Sequence, residues 1–177
     1  NLSFERVKIN FGLSPIRSSY HQLDCFFDRM LWNRDSASLF FFNNGDSKPY
    51  PAVLESFDFY NESRFEDIAS LATRYPVFML RTMSRENNDQ NEFILEDIAQ
   101  YYSCSISDAD ILMTDFTVLG FVNYNKDENV IHLNDKLFHF LDAKLENRDY
   151  DGFKIVSYGS NKPNAIMDLT SGSLSVT

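Results

Sequence analysis

The residues most suggestive of chemistry are three oxygen-bearing side chains at alternate positions, Asn123, Asn125 and Asp127. Alternating oxygen ligands of this kind open the calcium-binding loop of an EF-hand. That loop also needs a glycine at its sixth position and a glutamate at its twelfth, where this chain has Glu128 and Asn134. The sequence therefore argues against a calcium loop and favours a plain turn between two strands.

Other catalytic and metal-binding patterns are equally incomplete. His21, His132 and His139 have no second ligand at helical or hairpin spacing, so no zinc site is expected. Cys104 has no basic neighbour that would activate it as a nucleophile. Six scattered glycines form neither a Gly-x-Ser-x-Gly elbow nor a phosphate-binding loop. We therefore predict no catalytic residue, no cofactor and no metal, and we do not expect an enzyme.

Acidic residues dominate the segment between Asn87 and Asn125, which contains no Lys or Arg. A helix that reads DNA needs basic side chains for the phosphates, and the formal net charge of -10 adds to the repulsion. Three aspartates in this segment, Asp108, Asp110 and Asp115, are candidates for a face that docks a protein partner. They could equally form a solvated helix surface, and two of them lie near the favourable end of a helix dipole.

The element that carries these aspartates is predicted to be a helix. Ser107 and Asp110 have the spacing of a capping box at its start, and Gly120 is placed to end it. Its apolar positions recur at helical spacing and predict a buried face: Ala109, Leu112, Met113, Phe116 and Leu119.

The neighbouring segments predict a winged helix between Ser63 and Ala143. Helical spacing precedes and follows Pro76, which separates two helices, and a further amphipathic helix begins in FILEDIAQYYS. After Gly120, the segments FVNY and VIHL predict two short strands around a polar turn, and another helix begins at Asn134-Asp135. Helices followed by a hairpin and a helix are typical of winged helix-turn-helix modules.

The two flanks, residues 1–62 and 144–177, are rich in strand patterns. The N-terminal flank has alternating segments in FERVKINFGL and VLESFDFYN and a turn-rich loop over Asn43–Pro51. Two aromatic-rich runs around residues 33–36 predict a hairpin, with a short helix as the alternative for the first run. The C-terminal flank has GFKIVSY, AIMDLT and SLSVT, of which the last is expected to be the truncated start of a further β region. We predict an α+β chain in which the winged-helix module is inserted into, or packed on, one antiparallel β layer.

Aromatic residues and cysteines leave two questions open. Trp32 and the clusters at 26–27 and 40–42 fit a strand core, although Trp32 could also contact a partner. Cys25 and Cys104 lie far apart in sequence and are expected to be unpaired, but they could pair in an oxidising compartment.

The chain also resembles known proteins. The run Tyr75–Leu141, with Leu119-Gly120-Phe121-Val122 after its third helix, resembles winged-helix modules. The segment NRDYDGFKIVS after KLFHFLDA, together with Leu-Trp-Asn-Arg-Asp at 31–35, is similar to part of very large bacterial cell-envelope or secreted proteins of unassigned function. This resemblance implies an envelope or extracellular location and a segment of a larger protein, in keeping with a first residue, Asn1, that is not methionine.

These inferences predict a non-catalytic structural or protein-interaction segment of a larger envelope protein. Its partner would be another protein or another region of the parent chain. The acidic charge argues against nucleic acid binding. Membrane insertion is not expected, because apolar runs such as 39–42 are too short to span a bilayer. A DNA-binding winged-helix regulator is the first alternative, and an enzyme of unrecognised type is the second.

Overall fold

A computed structural model describes residues 1–5, 14–43, 51–69, 75–147, 152–159 and 162–177. Within these residues the chain forms five helices and twelve strands, and the strands make three antiparallel sheets. The predicted α+β class is confirmed. The predicted strand over FERVKINFGL begins within the described residues, but positions 6–13 lie outside them. Most of the predicted loop over Asn43–Pro51 also lies outside the described residues.

The chain divides into two compact units. Asn1–Ile9, Pro15–Ser56 and Phe153–Thr177 belong to the first, which we call the β unit. Asn10–Ser14 and Phe57–Gly152 belong to the second, which we call the helical unit. Strands from both flanks therefore share one unit.

The β unit contains two antiparallel sheets where the sequence predicted a single layer. The five-stranded sheet has the order β1 (Leu2–Glu5), β4 (Arg29–Asn33), β5 (Ser38–Phe42), β11 (Ala165–Asp168) and β12 (Leu174–Val176). The four-stranded sheet has the order β10 (Lys154–Ser157), β6 (Ala52–Ser56), β3 (Leu23–Phe26) and β2 (Ile16–Ser18). The predicted hairpin is confirmed between β4 and β5, where Asn33 lies opposite Ser38.

Alternating side chains of the two sheets build one apolar core. Cys25 and Leu54 are neighbours across β3 and β6, and Phe41 and Ala165 are neighbours across β5 and β11. All four are buried in the same cluster, in which Phe27 stacks on Phe41 with ring centroids 5.0 Å apart. On the opposite face of the four-stranded sheet the paired residues Asp24 and Glu55 are also buried, so both faces of β3 and β6 are covered.

The helical unit begins with two helices, α1 (Glu62–Ala69) and α2 (Pro76–Glu86). Pro76 is the first residue of α2, where the missing backbone N–H of proline costs no helical hydrogen bond. The predicted break before Pro76 falls partly on residues 70–74, outside the described residues.

The remaining elements of the helical unit are arranged around a three-stranded sheet. They are β7 (Glu92–Ile94), α3 (Leu95–Tyr102), α4 (Ile106–Val118), β8 (Val122–Asn125), β9 (Val130–Leu133) and α5 (Asp135–Lys144). The sheet has the order β7-β9-β8, so the last strand lies in the middle. The predicted hairpin of β8 and β9 is confirmed, whereas β7 is a strand that the sequence did not predict.

Aromatic and aliphatic side chains of every helix meet in one core. Phe140 of α5 lies centrally, with its ring 5.0 Å from those of Tyr60 and Phe121 and 6.2 Å from that of Phe65. Phe116 and Met113 of α4 are fully buried in the same cluster. Burial of each such side chain contributes about 1.5–3 kcal/mol relative to exposure, so this core orients α4 firmly.

Candidate functional site

Helix α4, which carries the candidate aspartates, begins two residues earlier than predicted. Its N-cap is Ser105, whose hydroxyl accepts the backbone N–H of Asp108 at 3.1 Å. The same hydroxyl donates to the Asp108 carboxylate at 2.7 Å. The predicted capping box of Ser107 and Asp110 is therefore wrong by two residues, because the Ser-x-x-Asp pattern occurs twice in succession and the earlier copy forms the cap.

The end of α4 matches the prediction. Gly120 adopts a left-handed conformation with φ of 78°. The N–H of Phe121 donates to the carbonyl of Phe116 at 3.0 Å, and that of Gly120 donates to Thr117 at 3.1 Å, the two bonds of a Schellman motif. The rings of Phe116 and Phe121 then meet edge to face at 6.0 Å, which supplies the apolar contact typical of this motif.

One side of α4 is exposed, and two of the three candidate aspartates lie on it. Asp108 and Asp115 flank Ile111, whose exposed fraction is 52%, and Ser107 completes this side. We call Ser107, Asp108, Ile111 and Asp115 the outer face of α4. Asp108, Ile111 and Asp115 are spaced three and four apart, so they form one stripe with an apolar centre and an acidic residue on either side.

Asp110, the third candidate, does not share this face. It is half-buried, and its Oδ1 accepts a hydrogen bond from the Tyr124 hydroxyl at 2.9 Å. The Nζ of Lys126, in the turn between β8 and β9, lies 3.0 Å from the same oxygen. Asp110 therefore links α4 to the β8–β9 hairpin, and its charge is neutralised there.

A buried asparagine makes a second connection between α4 and this hairpin. Asn134 is 4% exposed, and its Nδ2 donates to the carbonyl of Gly120 at 3.0 Å. Its Oδ1 accepts from Nδ2 of Asn123 at 3.1 Å, and its backbone N–H donates to Phe121 at 2.8 Å. Asn134 thus fixes the end of α4, the start of β8 and the start of α5 relative to one another.

Trp32, the remaining candidate, lies in the β unit. It is half-buried in β4, opposite Leu2 of β1 and Leu39 of β5. Leu2 is 47% exposed, and Trp32 is not part of the buried cluster of this unit. A partner contact of Trp32 stays a prediction.

The other residues considered for chemistry have structural surroundings. His21 forms hydrogen bonds with the Ser18 hydroxyl at 3.0 Å and the Gly172 carbonyl at 2.8 Å. His132 is exposed on β9, opposite Glu92 and Asn123. Among the described residues, no group of three or more His, Cys, Asp or Glu side chains is arranged to hold a metal ion.

Both cysteines are free thiols. Burial and then the nearby Asp24 carboxylate raise the pKa of Cys25 to about 12. Burial and then the charge of Asp108 raise the pKa of Cys104. Because the thiolate is the reactive form, each thiol is less reactive at neutral pH than an ordinary cysteine.

An open groove lies where α2, β7 and α3 meet. Its volume is about 530 Å³, within the range of ligand-binding clefts. The lining residues are mostly polar: Met83, Asn87, Gln90, Phe93, Asp97, Gln100 and Tyr101. Sequence reasoning missed this groove, since its polar residues belong to a turn and a helix face that carry no recognisable motif.

Comparison of the chain with protein-family models, with curated proteins and with solved structures found no match. No helix within the described ranges has the length and apolar character needed to span a bilayer.

Proposed function

We propose that the helical unit is a winged-helix module that binds a basic protein segment and not DNA, within a larger bacterial envelope protein. The observation that carries this proposal is the outer face of α4, which presents Asp108 and Asp115 around Ile111. In this proposal the chain has no catalytic role.

The order of elements supports a winged helix. The sequence α2, β7, α3, α4, β8, β9 is helix, strand, two helices and a hairpin, and all three strands pair in one sheet. In this reading α4 is the helix that would enter a DNA groove, and the turn between β8 and β9 is the wing. Residues Ser63–Ala143 would form the module.

The charges argue against the usual ligand of such a module. Phosphate contacts from Lys and Arg supply most of the affinity of DNA-binding proteins, and the segment from Asn87 to Asn125 contains neither residue. Lys126 lies in the wing turn, and its ammonium group is paired with Asp110. A polyanion would therefore be repelled from α4.

The same charges suit a basic protein segment. Acidic residues attract and orient a positively charged partner, and an exposed isoleucine between them offers an apolar contact on docking. A partner helix with alternating basic and apolar residues along one side would satisfy both features. The envelope location rests on the sequence resemblance alone.

Parallel titrations of the chain test this proposal. The probes are a labelled random DNA duplex at low salt and a labelled helical peptide with Lys and Leu on one side. We expect measurable binding of the peptide and none of the DNA. Tight, salt-sensitive binding of the duplex would support the DNA-binding regulator instead.

A matched pair of charge variants locates the binding face. Asp108→Asn with Asp115→Asn should weaken peptide binding, and Ile111→Ser should weaken it further. Glu66→Gln with Glu146→Gln also removes two negative charges, from exposed positions on α1 and after α5. This control should have little effect on peptide binding. If both double variants weakened binding equally, the overall negative charge of the chain, and not the outer face of α4, would account for peptide binding.

A further inference from the structure

We infer that the groove between α2, β7 and α3 binds the guanidinium group of an arginine side chain supplied by the basic partner. This inference rests on the proposed function and adds to it a defined anchoring site. It concerns different residues from the outer face of α4, so the two can be tested separately.

The polar groups of the groove present hydrogen-bond acceptors. Nδ2 of Asn87 donates to the Met83 carbonyl at 2.8 Å, and Nε2 of Gln90 donates to the Glu92 carbonyl. The hydroxyl of Tyr101 donates to Oε2 of Glu86 at 3.0 Å. Since these three side chains donate within the protein, each is left with an oxygen that can accept a hydrogen bond from a ligand.

The groove also carries negative charge. Asp97 lies one helical turn before Tyr101 and Gln100 on α3, so all three project toward the groove from one face. Within the part of the chain that the structure describes, no hydrogen bond or ion pair engages the carboxylate of Asp97 or the side-chain amide of Gln100. No Lys, Arg or His is among the lining residues. A cation would thus meet an uncompensated carboxylate.

The distribution of the acceptors favours arginine over other cations. The acceptors come from α2 (through Asn87, just after its end), from the turn that follows (Gln90) and from α3 (Asp97). A guanidinium group has five donors in a planar fork and no acceptor, so it can serve several separated oxygens at once. Met83 and Phe93, which are 4% and 5% exposed, give the groove an apolar floor for the methylene groups.

The turn that shapes the groove is held in an uncommon conformation. Asn88 and Asp89 are consecutive non-glycine residues with positive φ, 57° and 59°. Left-handed backbone of this kind costs free energy and is found where the surrounding structure requires it. Here it returns the chain from α2 to β7 and leaves Asn87 and Gln90 on the same side as α3.

A titration followed by backbone amide NMR shifts tests the inference on the full chain. The probes are acetyl-Gly-Arg-Gly-amide and its counterparts with citrulline and with lysine at the central position. Citrulline keeps the shape of arginine without its charge. We expect the arginine peptide to shift the amides of Asn87, Gln90 and Gln100, the lysine peptide to do so more weakly, and the citrulline peptide to leave them in place.

Two groove variants and one control variant complete the experiment. Asp97→Asn should weaken binding of the arginine peptide about fivefold, which corresponds to about 1 kcal/mol. Gln100→Ala should weaken it to a smaller extent, and Glu146→Gln, at an exposed position after α5, should leave it unchanged. Equal binding of the citrulline peptide, or no loss in either groove variant, would overturn the inference.

The failures of the two proposals are distinguishable. If the helical Lys-Leu peptide bound through the outer face of α4 while the arginine tripeptide left the groove unshifted, the groove inference would be wrong and the proposed function would stand. If the groove bound arginine but neutralising Asp108 and Asp115 changed nothing, the assignment of the docking face would be wrong instead.

Discussion

Lys126, in the turn between β8 and β9, forms an ion pair with Asp110 of α4, with Nζ and Oδ1 3.0 Å apart. Their side chains remain 37% and 28% exposed, so the pair contributes only about 0.2–1 kcal/mol to stability. The ion pair orients the Lys126 side chain toward α4 and not toward solvent. The same carboxylate accepts the hydroxyl of Tyr124, so one aspartate organises both residues.

The first prediction concerns alkaline pH. Burial, followed by the hydrogen bond to Asp110, raises the pKa of Tyr124 to about 12, against about 10 for an unfolded tyrosine. The folded chain therefore keeps a proton that the unfolded chain releases, and the free energy of unfolding should fall as the pH rises from about 10 to 12. Urea unfolding at a series of pH values measures this slope.

Tyr124→Phe should make that slope shallower. Some slope should remain, because burial also raises the pKa of Tyr102. Tyr158→Phe, at a position 80% exposed in the β unit, serves as the control and should leave the profile unchanged. Identical profiles for the Tyr124 variant and the native chain would contradict the assigned role of this phenol.

The second prediction separates two serines in the same exposed segment. Ser105→Ala removes the N-cap of α4 and should lower the free energy of unfolding by about 1 kcal/mol. Ser107→Ala, within the first turn, removes no capping bond and should cost little. Urea midpoints of the two variants provide the measurement, and the reverse order would restore the cap that the sequence predicted.

Much of the helical unit could be predicted because its signals are local. The apolar spacing of α4, the glycine at its end and the polar turn of the hairpin each depend on a few adjacent residues. The starting residue of α4 was missed because Ser105 and Ser107 each precede an aspartate at the same spacing. Only tertiary packing chooses between two such equivalent patterns.

Other features could not be predicted because they depend on residues distant in sequence. Strand β7 has three residues, too few for a periodic pattern, and it exists through pairing of Phe93 with Ile131. The sequence predicted Asp110 as an exposed acidic residue, whereas in the structure it bonds Tyr124 and Lys126 of the hairpin. The groove likewise forms only when the turn after α2 meets α3.

The third prediction concerns the buried amide that joins α4 to the hairpin. Asn134→Ala leaves the Gly120 carbonyl without its side-chain donor and removes a buried polar contact, so it should cost about 1–3 kcal/mol. Asn123→Ala removes only the exposed partner of Asn134 and should cost less. Thermal and urea unfolding of both variants give the comparison, and a smaller loss for the Asn134 variant would show that this amide is not the main link.

The fourth prediction tests how the two sheets of the β unit are joined. Asn164 is 1% exposed, and its Oδ1 accepts the backbone N–H of Asn43, just after β5, at 2.8 Å. Its Nδ2 donates toward the hydroxyl of Ser157 on β10 at 3.2 Å. One side chain therefore bridges a strand end of the five-stranded sheet and an edge strand of the four-stranded sheet.

Replacement of Asn164 should lower the stability of the β unit by more than the loss of one small side chain suggests. Asn164→Ala leaves a buried N–H and a buried hydroxyl without this partner, with an expected cost of about 1–3 kcal/mol. Gly159→Ala should act on the same contact, because a Cβ at Gly159 would lie 2.8 Å from Nδ2 of Asn164 and push the amide aside. Ser175→Ala, on the exposed side of β12, is the matched control. Amide hydrogen exchange reports the result residue by residue. Protection should fall in β5, β10 and β11 for the Asn164 and Gly159 variants and stay unchanged for the Ser175 variant. Protection equal to that of the native chain in all three variants would mean that the apolar core alone holds the sheets together.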